Sequence, residues 1–318
     1  MDFEGLLFRS DALASGVTDG QLRHARLRGE LIAVRPGAFV SAAFFATLNS
    51  EQQHLLLARA IAHEAPVVLS HQSAAIAWGM DVWALSLAHV HSTTGRTITA
   101  RKGRRRIVHG STLSESESTV FQGLSLTTPA RTVVDIARST TFERAVCVGD
   151  SALRRGLVTR TELDEALCSA RHRTGIQNAV RAVAAMTDRS DSVGESRTRL
   201  ILVDAGFAPL LNQSVYDAGG TFLGRTDFLF TGPWGCFEFD GADKYGVNAA
   251  DTRASVLAEK DRENRIRDAG WPFARASWRD LAQPNALTER VRRMLARGAR
   301  MPEPEGTFRA EPLPPYRP

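Results

Sequence analysis

Cysteine is scarce in this chain, and the few cysteines are not spaced as a site would need. Cys147, Cys168 and Cys236 are spread over 318 residues, and no C-x-x-C pair occurs. An odd number of distant thiols gives no disulfide framework, and the lack of paired spacing gives no zinc knuckle. Such usage is typical of proteins in a reducing compartment.

Long hydrophobic runs are also missing. No apolar stretch reaches the roughly 20 residues that a membrane-spanning helix requires. The start, Met1-Asp2-Phe3-Glu4, is acidic and lacks the basic segment and apolar run of a signal peptide. We therefore predict a soluble, cytoplasmic protein.

Several common enzyme signatures are absent, and neither sign of charge dominates. The chain has no P-loop, no G-x-G-x-x-G, no serine nucleophile elbow and no internal repeat. Lys and Arg number 40 against 35 Asp and Glu, which gives a net charge of +5. This modest basic excess permits contact with nucleic acid without requiring it.

The first 48 residues are typical of a small winged helix-turn-helix. The pattern predicts one helix over residues 3–14, a turn, and a second helix opened by a capping box of Thr18 and Gln21. A strand-turn-strand wing is predicted over residues 31–40. A short basic helix after a tight turn enters the major groove in helix-turn-helix proteins. The expected DNA contacts from this helix are Arg23, Arg26 and Arg28.

A second basic feature is the run over residues 101–106, which has five cations in six positions. In an otherwise balanced chain this run predicts a phosphate-binding patch that weakens as salt rises, although a solvated loop is the alternative. Its cations are Arg101, Lys102, Arg104, Arg105 and Arg106.

Four histidines, His71, His89, His91 and His109, lie in the middle of the chain. No H-E-x-x-H motif and no Cys/His ligand spacing accompany them. We therefore interpret them as structural residues.

Clustered carboxylates are the strongest indication of a metal-binding site in this sequence. Two short strands with alternating aromatic residues contain Asp227 and, eleven residues on, Glu238-Phe239-Asp240. Glu238 and Asp240 share a strand face, and a four-residue loop over residues 231–234 would place Asp227 opposite Glu238. Three crowded carboxylates need a cation, and Mg²⁺ prefers such oxygen ligands. We expect Asp227, Glu238 and Asp240 to bind Mg²⁺ or Mn²⁺.

Two further residues complete the expected catalytic site. Lys244 follows Asp240 by four positions and could stabilise transition-state charge. Glu195 begins a helix that is predicted to end near Gly206, and a helix N-terminus tolerates an acid well. The expected catalytic residues are Glu195, Asp227, Glu238 and Lys244. A solvated acidic surface is the alternative.

Residues 190–282 resemble the restriction-endonuclease-like superfamily, whose sites combine a helical Glu, a strand Asp and a Glu-x-Lys pair. They are most similar to its very-short-patch-repair-like endonucleases, where an acid-x-Asp-Gly turn precedes a charged helix, a Gly and a strand with Arg. Here these are Glu238-Phe239-Asp240-Gly241, then Glu259, Arg262 and Ile266 on one helical face, Gly270, and Arg275. The resemblance implies metal-dependent hydrolysis of DNA phosphodiester bonds. Asp240 stands where the superfamily has its Lys, so either Lys244 replaces that lysine from a shifted position or the domain has lost catalysis.

Residues 5–170 contain the N-terminal wing, the stretch Leu69-Ser70-His71-Gln72-Ser73-Ala74-Ala75, and the segment from Thr128-Pro129 to Asp135. This combination gives a resemblance to the AbiEi-type antitoxins, DNA-binding proteins of type IV toxin–antitoxin operons. It implies binding to double-stranded DNA and, as an alternative function, a non-catalytic transcriptional regulator. A toxin partner or a homodimer is left open.

Together these patterns predict an α+β, multidomain protein. The expected parts are a winged helix-turn-helix (1–48), an AbiEi-like mixed α/β middle domain (49–188), a restriction-endonuclease-like α/β core (189–300) and a proline-rich disordered tail (301–318).

Overall fold

A computed structural model of the protein describes residues 5–96, 99–241 and 249–310, and for residues 249–257 the backbone alone. Within these ranges the chain forms twelve α-helices and three β-sheets, so the mixed helix-and-sheet class is confirmed. The chain divides into two compact units, Met1–Val148 with Val158–Val183 and Gly149–Leu157 with Ala184–Pro318. No helix in the described ranges is both long enough and apolar enough to cross a membrane.

The first unit begins with two helices joined by a turn and followed by a β-hairpin. Gln21 N donates to Thr18 Oγ1 at 3.3 Å and Thr18 N donates to Gln21 Oε1 at 2.8 Å, which confirms the predicted capping box. The helix predicted from residue 3 is wrong in its early part, because residues 7–8 pair with residues 38–39 as a strand. The elements are β1 (Leu7–Phe8), α1 (Arg9–Ala14), α2 (Asp19–Leu27), β2 (Leu31–Arg35), β3 (Ala38–Ser41) and α3 (Ala42–Thr47), with strand order β1-β3-β2.

The predicted boundary after residue 48 lies inside this unit. Helix α4 (Ser50–Glu64) packs Leu56 and Ala60 into one buried cluster with Phe8 and Val34. Because apolar side chains on both sides of the boundary share a core, the two segments form one body.

A six-stranded sheet supports the rest of the first unit. The elements that follow α4 are β4 (Val68–Leu69), α5 (His71–Ala77), β5 (Val90–Thr94), β6 (Arg101–Lys102), β7 (Arg106–Gly110), β8 (Ser118–Phe121), β9 (Leu124–Thr127), α6 (Pro129–Ser139), α7 (Phe142–Arg154), α8 (Arg160–Ser169) and α9 (Ile176–Ala185). Of these, residues 149–154 of α7 and residues 184–185 of α9 belong to the second unit. The strand order is β6-β7-β5-β4-β9-β8, with β5–β7 and β4–β9 parallel. The predicted start of α6 is confirmed, since Thr128 accepts a hydrogen bond from Arg131 N and Pro129 is the first helical residue.

The second unit is built on a five-stranded sheet. Its elements are α10 (Val193–Asp204), β10 (Leu210–Tyr216), β11 (Phe222–Phe230), β12 (Gly235–Asp240), α11 (Ala249–Asp268), β13 (Phe273–Ser277), α12 (Pro284–Gly298) and β14 (Thr307–Ala310). The strand order is β13-β12-β11-β10-β14, and β12–β13 is the parallel pair. The four-residue loop predicted between β11 and β12 is confirmed, with Phe228 opposite Phe237.

The β11–β12 hairpin has an aromatic face and a charged face. Phe228, Phe230, Phe237 and Phe239 share a buried cluster with residues from α10 and α12. Leu229 and Cys236, which point the other way, pack against Ile266 of α11. Because side chains alternate along a strand, Asp227, Glu238 and Asp240 belong to the α11 side.

The segment after residue 300 differs from the predicted disordered tail. Residues 307–310 form β14, which pairs antiparallel with β10. Phe308 lies against Trp234 and Trp271 at ring distances of 6.4 and 6.2 Å, so an aromatic contact anchors this strand. Residues 311–318 lie outside the described residues.

Candidate functional site

The basic helix α2 presents the predicted arginines at the surface. Arg23, Arg26 and Arg28 are all exposed. The Arg26 guanidinium lies 5.8 Å from the Phe39 ring centroid, which holds it against the hairpin. Arg28 forms an ion pair with Glu30 at 3.0 Å. Within the described ranges, Arg28 is therefore the one of these three arginines whose charge a neighbouring acid offsets.

The basic run lies close to this helix within the first unit. Arg101 and Lys102 form β6, the exposed strand at one edge of the six-stranded sheet. Arg105 reaches the hairpin, where its guanidinium donates to the Val34 carbonyl. The two basic segments predicted separately from the sequence thus lie against the same hairpin.

A groove of about 730 Å³ joins the two basic segments. Among the described residues that line it, five are arginines and one is an acid, Glu64, which pairs with Arg35. The arginines are Arg26, Arg35, Arg104, Arg105 and Arg106. A concave surface with this excess of positive charge attracts polyanions.

In the second unit, Asp227 and Glu238 occupy neighbouring positions of the paired strands. The ladder pairs Phe228 with Phe237, and the next position outward places Asp227 beside Glu238. Asp227 Oδ2 accepts a hydrogen bond from Phe239 N at 2.8 Å, so this carboxylate is held against the strand backbone.

Arginines from α11 and β13 neutralise the carboxylates. Arg262 donates two hydrogen bonds to Glu238, at 2.7 and 2.8 Å. Burial opposes the charge of Arg262, but Glu238, Glu259 and Asp227 together raise its pKa above the usual value. A bidentate pair of this kind is a strong charge-assisted interaction.

Arg275 connects the remaining acids. It forms ion pairs with Glu259 at 2.7 Å and Glu263 at 2.9 Å, and lies 3.8 Å from Asp240 and from Glu238. Arg267 also pairs with Glu263. Within the described ranges, three guanidinium groups thus face five carboxylates once Asp227 is included, which leaves an excess of negative charge there.

The predicted magnesium ligands lie on one side of the sheet. Arg262 pairs there with Glu238, and Arg275 lies 3.8 Å from Asp240. Among the described residues, Asp227, Glu238 and Asp240 do not form a group with potential ligand atoms within 4.8 Å of one another. Glu195 accepts hydrogen bonds from Asp191 N at 2.8 Å and Ser192 Oγ at 2.9 Å, at the start of α10. Lys244 lies outside the described residues.

Three histidines of the first unit do converge. Potential ligand atoms of His71, His91 and His109 lie within 4.8 Å of one another. Burial lowers the pKa of His91 to about 3 and holds that of His71 well below its usual value. Burial also lowers the pKa of His109. The three rings are therefore uncharged at neutral pH.

No family model matches the chain. It is similar to two uncharacterized proteins of Mycobacterium tuberculosis, from strain CDC 1551 / Oshkosh and strain ATCC 25618 / H37Rv, each 30% identical over 181 residues. The match covers 56% of this chain and 64% of each relative's length. Since the relatives are uncharacterized, the similarity assigns no activity.

Sequence reasoning missed two features of these sites. It treated Arg262 and Arg275 as parts of a family pattern, not as counter-ions of Glu238 and its neighbours. It also treated the histidines as unrelated, because spacings of 20 and 18 residues match no ligand motif. The available signal was the local sequence, which predicts strands around residues 87–92 and 105–109 and so puts His91 and His109 on strands. Local sequence does not give the order of those strands in a sheet.

Proposed function

We propose that this protein binds double-stranded DNA through its first unit, with residues 1–48 acting as a winged helix-turn-helix. The observation that carries the proposal is the shared groove of Arg26 and Arg104–Arg106, which two separate basic segments line. Neutralising phosphates with arginine supplies most of the affinity in DNA recognition.

In this proposal, α2 enters the major groove and the β2–β3 hairpin contacts the adjoining backbone. Arg23 and Arg26 are exposed on α2, so they would contact base edges or phosphates there. Arg101 and Lys102 on the exposed strand β6 would extend the phosphate contacts along the duplex.

Fluorescence anisotropy with a labelled duplex over a series of salt concentrations tests the proposal. Arg23→Ala and Arg104→Ala should each weaken binding and reduce the salt slope by about 1, because each variant neutralises one phosphate fewer. Arg292→Ala is the matched control, because Arg292 is an exposed arginine of the second unit. Equal affinities for all three variants would reject the proposed surface.

The arginine pairing of Glu238 favours a DNA-binding regulator without catalysis, and a role as an antitoxin would be one form of it. A second candidate is a Mg²⁺- or Mn²⁺-dependent endonuclease. It is supported by the adjacency of Asp227 and Glu238 and by the excess of carboxylates over guanidinium groups around them. A metal ion would have to displace Arg262 from Glu238.

Nicking of supercoiled plasmid in Mg²⁺ or Mn²⁺ distinguishes the two candidates. An endonuclease should cut, and Glu238→Ala should abolish cutting. Cleavage that is equal in the wild type and in Glu238→Ala would identify a contaminant. DNA binding without any cleavage would support the regulator.

A further inference from the structure

The histidine cluster is built from three separate elements of the first unit. His71 opens α5, whereas His91 and His109 lie on the neighbouring parallel strands β5 and β7. His91 Nδ1 is 2.9 Å from His109 Nε2, and the rings of His71 and His109 stack with centroids 3.8 Å apart. No other group of three His, Cys, Asp or Glu side chains in the described part of the chain converges this closely.

We propose that His71, His91 and His109 form a three-histidine site for Zn²⁺ or a divalent transition ion of similar chemistry. Imidazole suits Zn²⁺, and three protein ligands with one open position form the pattern of zinc sites that bind an external ligand. Bonds of about 2.0–2.1 Å at tetrahedral angles place ligand nitrogens roughly 3.3 Å apart. The 2.9 Å between His91 Nδ1 and His109 Nε2 is close to that spacing.

Neighbouring polar groups orient two of the three rings. Ser70 Oγ contacts His71 Nδ1 at 3.0 Å, which leaves Nε2 of His71 for an ion. Gln72 Nε2 contacts His91 Nε2 at 2.8 Å, which leaves Nδ1 of His91. Partners on the second ring nitrogen are the usual means by which proteins fix histidine ligands.

The Gln72 contact also determines how the proton of His91 and the amide of Gln72 must rearrange when an ion binds. Gln72 Nε2 donates to Ser86 O at 3.1 Å as well as to His91 Nε2, so without metal His91 Nδ1 carries the proton and donates to His109 Nε2. With a metal on Nδ1, the proton of neutral His91 moves to Nε2. Gln72 must then turn its amide so that Oε1 accepts from that nitrogen.

A cavity of about 520 Å³ supplies the open coordination position. His71 and His109 line it together with Thr93 and Arg173. Thr93 Oγ1 and Arg173 Nη1 are buried polar atoms that have no hydrogen-bond partner within the described ranges. Arg131, Arg138 and Asp135 also line this cavity. Asp135 pairs with Arg131 and Arg138, and Glu117 pairs with Arg131 and Arg173. Three guanidinium groups thus stand against two carboxylates among the described residues, and this net positive charge fits an anionic fourth ligand.

The backbone at His71 is a further sign of a specialised site. Its φ of 50° lies in the left-handed region, which residues other than glycine rarely adopt. Such conformations concentrate at ligand sites, where the surrounding structure holds them.

Metal analysis and calorimetric titration of the untagged full-length protein, stripped with chelator, test the site. Zn²⁺ should bind at one ion per chain, and Co²⁺ should give the visible spectrum of a four-coordinate ion with nitrogen ligands. His91→Gln and His109→Gln should each weaken Zn²⁺ binding by about 100-fold or more, since loss of outer partners alone costs about 10–100-fold.

His89→Gln is the matched control, because His89 lies two positions before His91 and outside the triad. It should bind Zn²⁺ as the wild type does. Gln72→Glu should tighten binding by about 10-fold, since a carboxylate accepts from His91 Nε2 without turning. Because Gln72→Glu leaves all three histidines in place, this test does not depend on whether a variant of a metal ligand folds.

Two results would overturn the site. One is a wild-type protein that binds no Zn²⁺ and gives no four-coordinate Co²⁺ spectrum. The other is Zn²⁺ binding that His91→Gln and His109→Gln leave unchanged while both variants keep the wild-type circular dichroism. Addition of azide should alter the Co²⁺ spectrum, and an unchanged spectrum would reject the open position.

Discussion

At the scale of single residues, His54 shows how a buried polar group is held in one state. It is 3% exposed, its Nδ1 donates to Leu87 O at 2.9 Å, and its Nε2 accepts from Ser73 Oγ at 2.8 Å. Ser73 Oγ in turn accepts from His91 N at 2.8 Å. These contacts fix one neutral tautomer and connect α4, α5 and β5.

This burial makes stability depend on pH. Burial lowers the pKa of His54 below the unfolded value of 6.5. As pH falls through 6.5, the unfolded chain therefore takes up a proton that the folded chain does not, and stability is lost. In metal-free protein, His54 should lower the free energy of unfolding by up to about 1.4 kcal/mol for each pH unit below 6.5. His54→Gln should remove this contribution to the slope of stability against pH. Urea unfolding at several pH values measures the slope. A slope that His54→Gln leaves unchanged would contradict this assignment.

At the scale of elements, the C-terminal strand β14 extends the sheet of the second unit. It pairs with β10 over four positions, from Gln213 opposite Ala310 to Tyr216 opposite Thr307. The sequence after residue 300 is rich in proline and has little hydrophobic periodicity, which favoured disorder. Residues 307–310 are held by pairing with the edge of β10, by the contacts of Phe308 with Trp234 and Trp271, and by Arg309 over the Tyr216 ring.

Phe308→Ala should therefore destabilise the second unit. We expect a loss of about 2 kcal/mol, below the 3–5 kcal/mol of a fully buried phenylalanine, because Phe308 is only partly buried. Thermal or urea unfolding measures the loss. Phe222→Ala is the control of the same residue type, since Phe222 is 52% exposed, and it should cost less. Equal losses would mean that the Phe308 contacts do not anchor the strand.

At the scale of the whole molecule, opposite charges are collected in different units. The arginine-lined groove belongs to the first unit, and the acidic network around Glu238 belongs to the second. If the groove binds DNA and the acids are already paired with arginine, DNA affinity requires no divalent ion.

The full chain should thus bind a duplex equally well in EDTA and in Mg²⁺ when ionic strength is matched. Anisotropy titration under both conditions measures this, with a salt series as the reference for nonspecific screening. Binding that appears only with Mg²⁺ would contradict the pairing of Glu238 as the resting state and favour the nuclease.

Two helix starts and one hairpin of this protein followed from short-range rules. Thr18 with Gln21 and Thr128 with Pro129 marked the starts of α2 and α6, because a cap is formed within four residues. The β11–β12 hairpin had the predicted register, because loop length and side-chain alternation fix it locally.

Tertiary structure decided what those elements do together. Arg262 meets Glu238 across 24 residues and Arg105 meets Val34 across 71, and the order of strands brings His91 beside His109. Such contacts depend on how distant strands and helices pack, which is set by the summed burial of many side chains. The sequence by itself therefore determined the capped starts of α2 and α6, the β11–β12 register and the placement of charge along the chain. Packing alone decided which charges neutralise each other and which histidines converge.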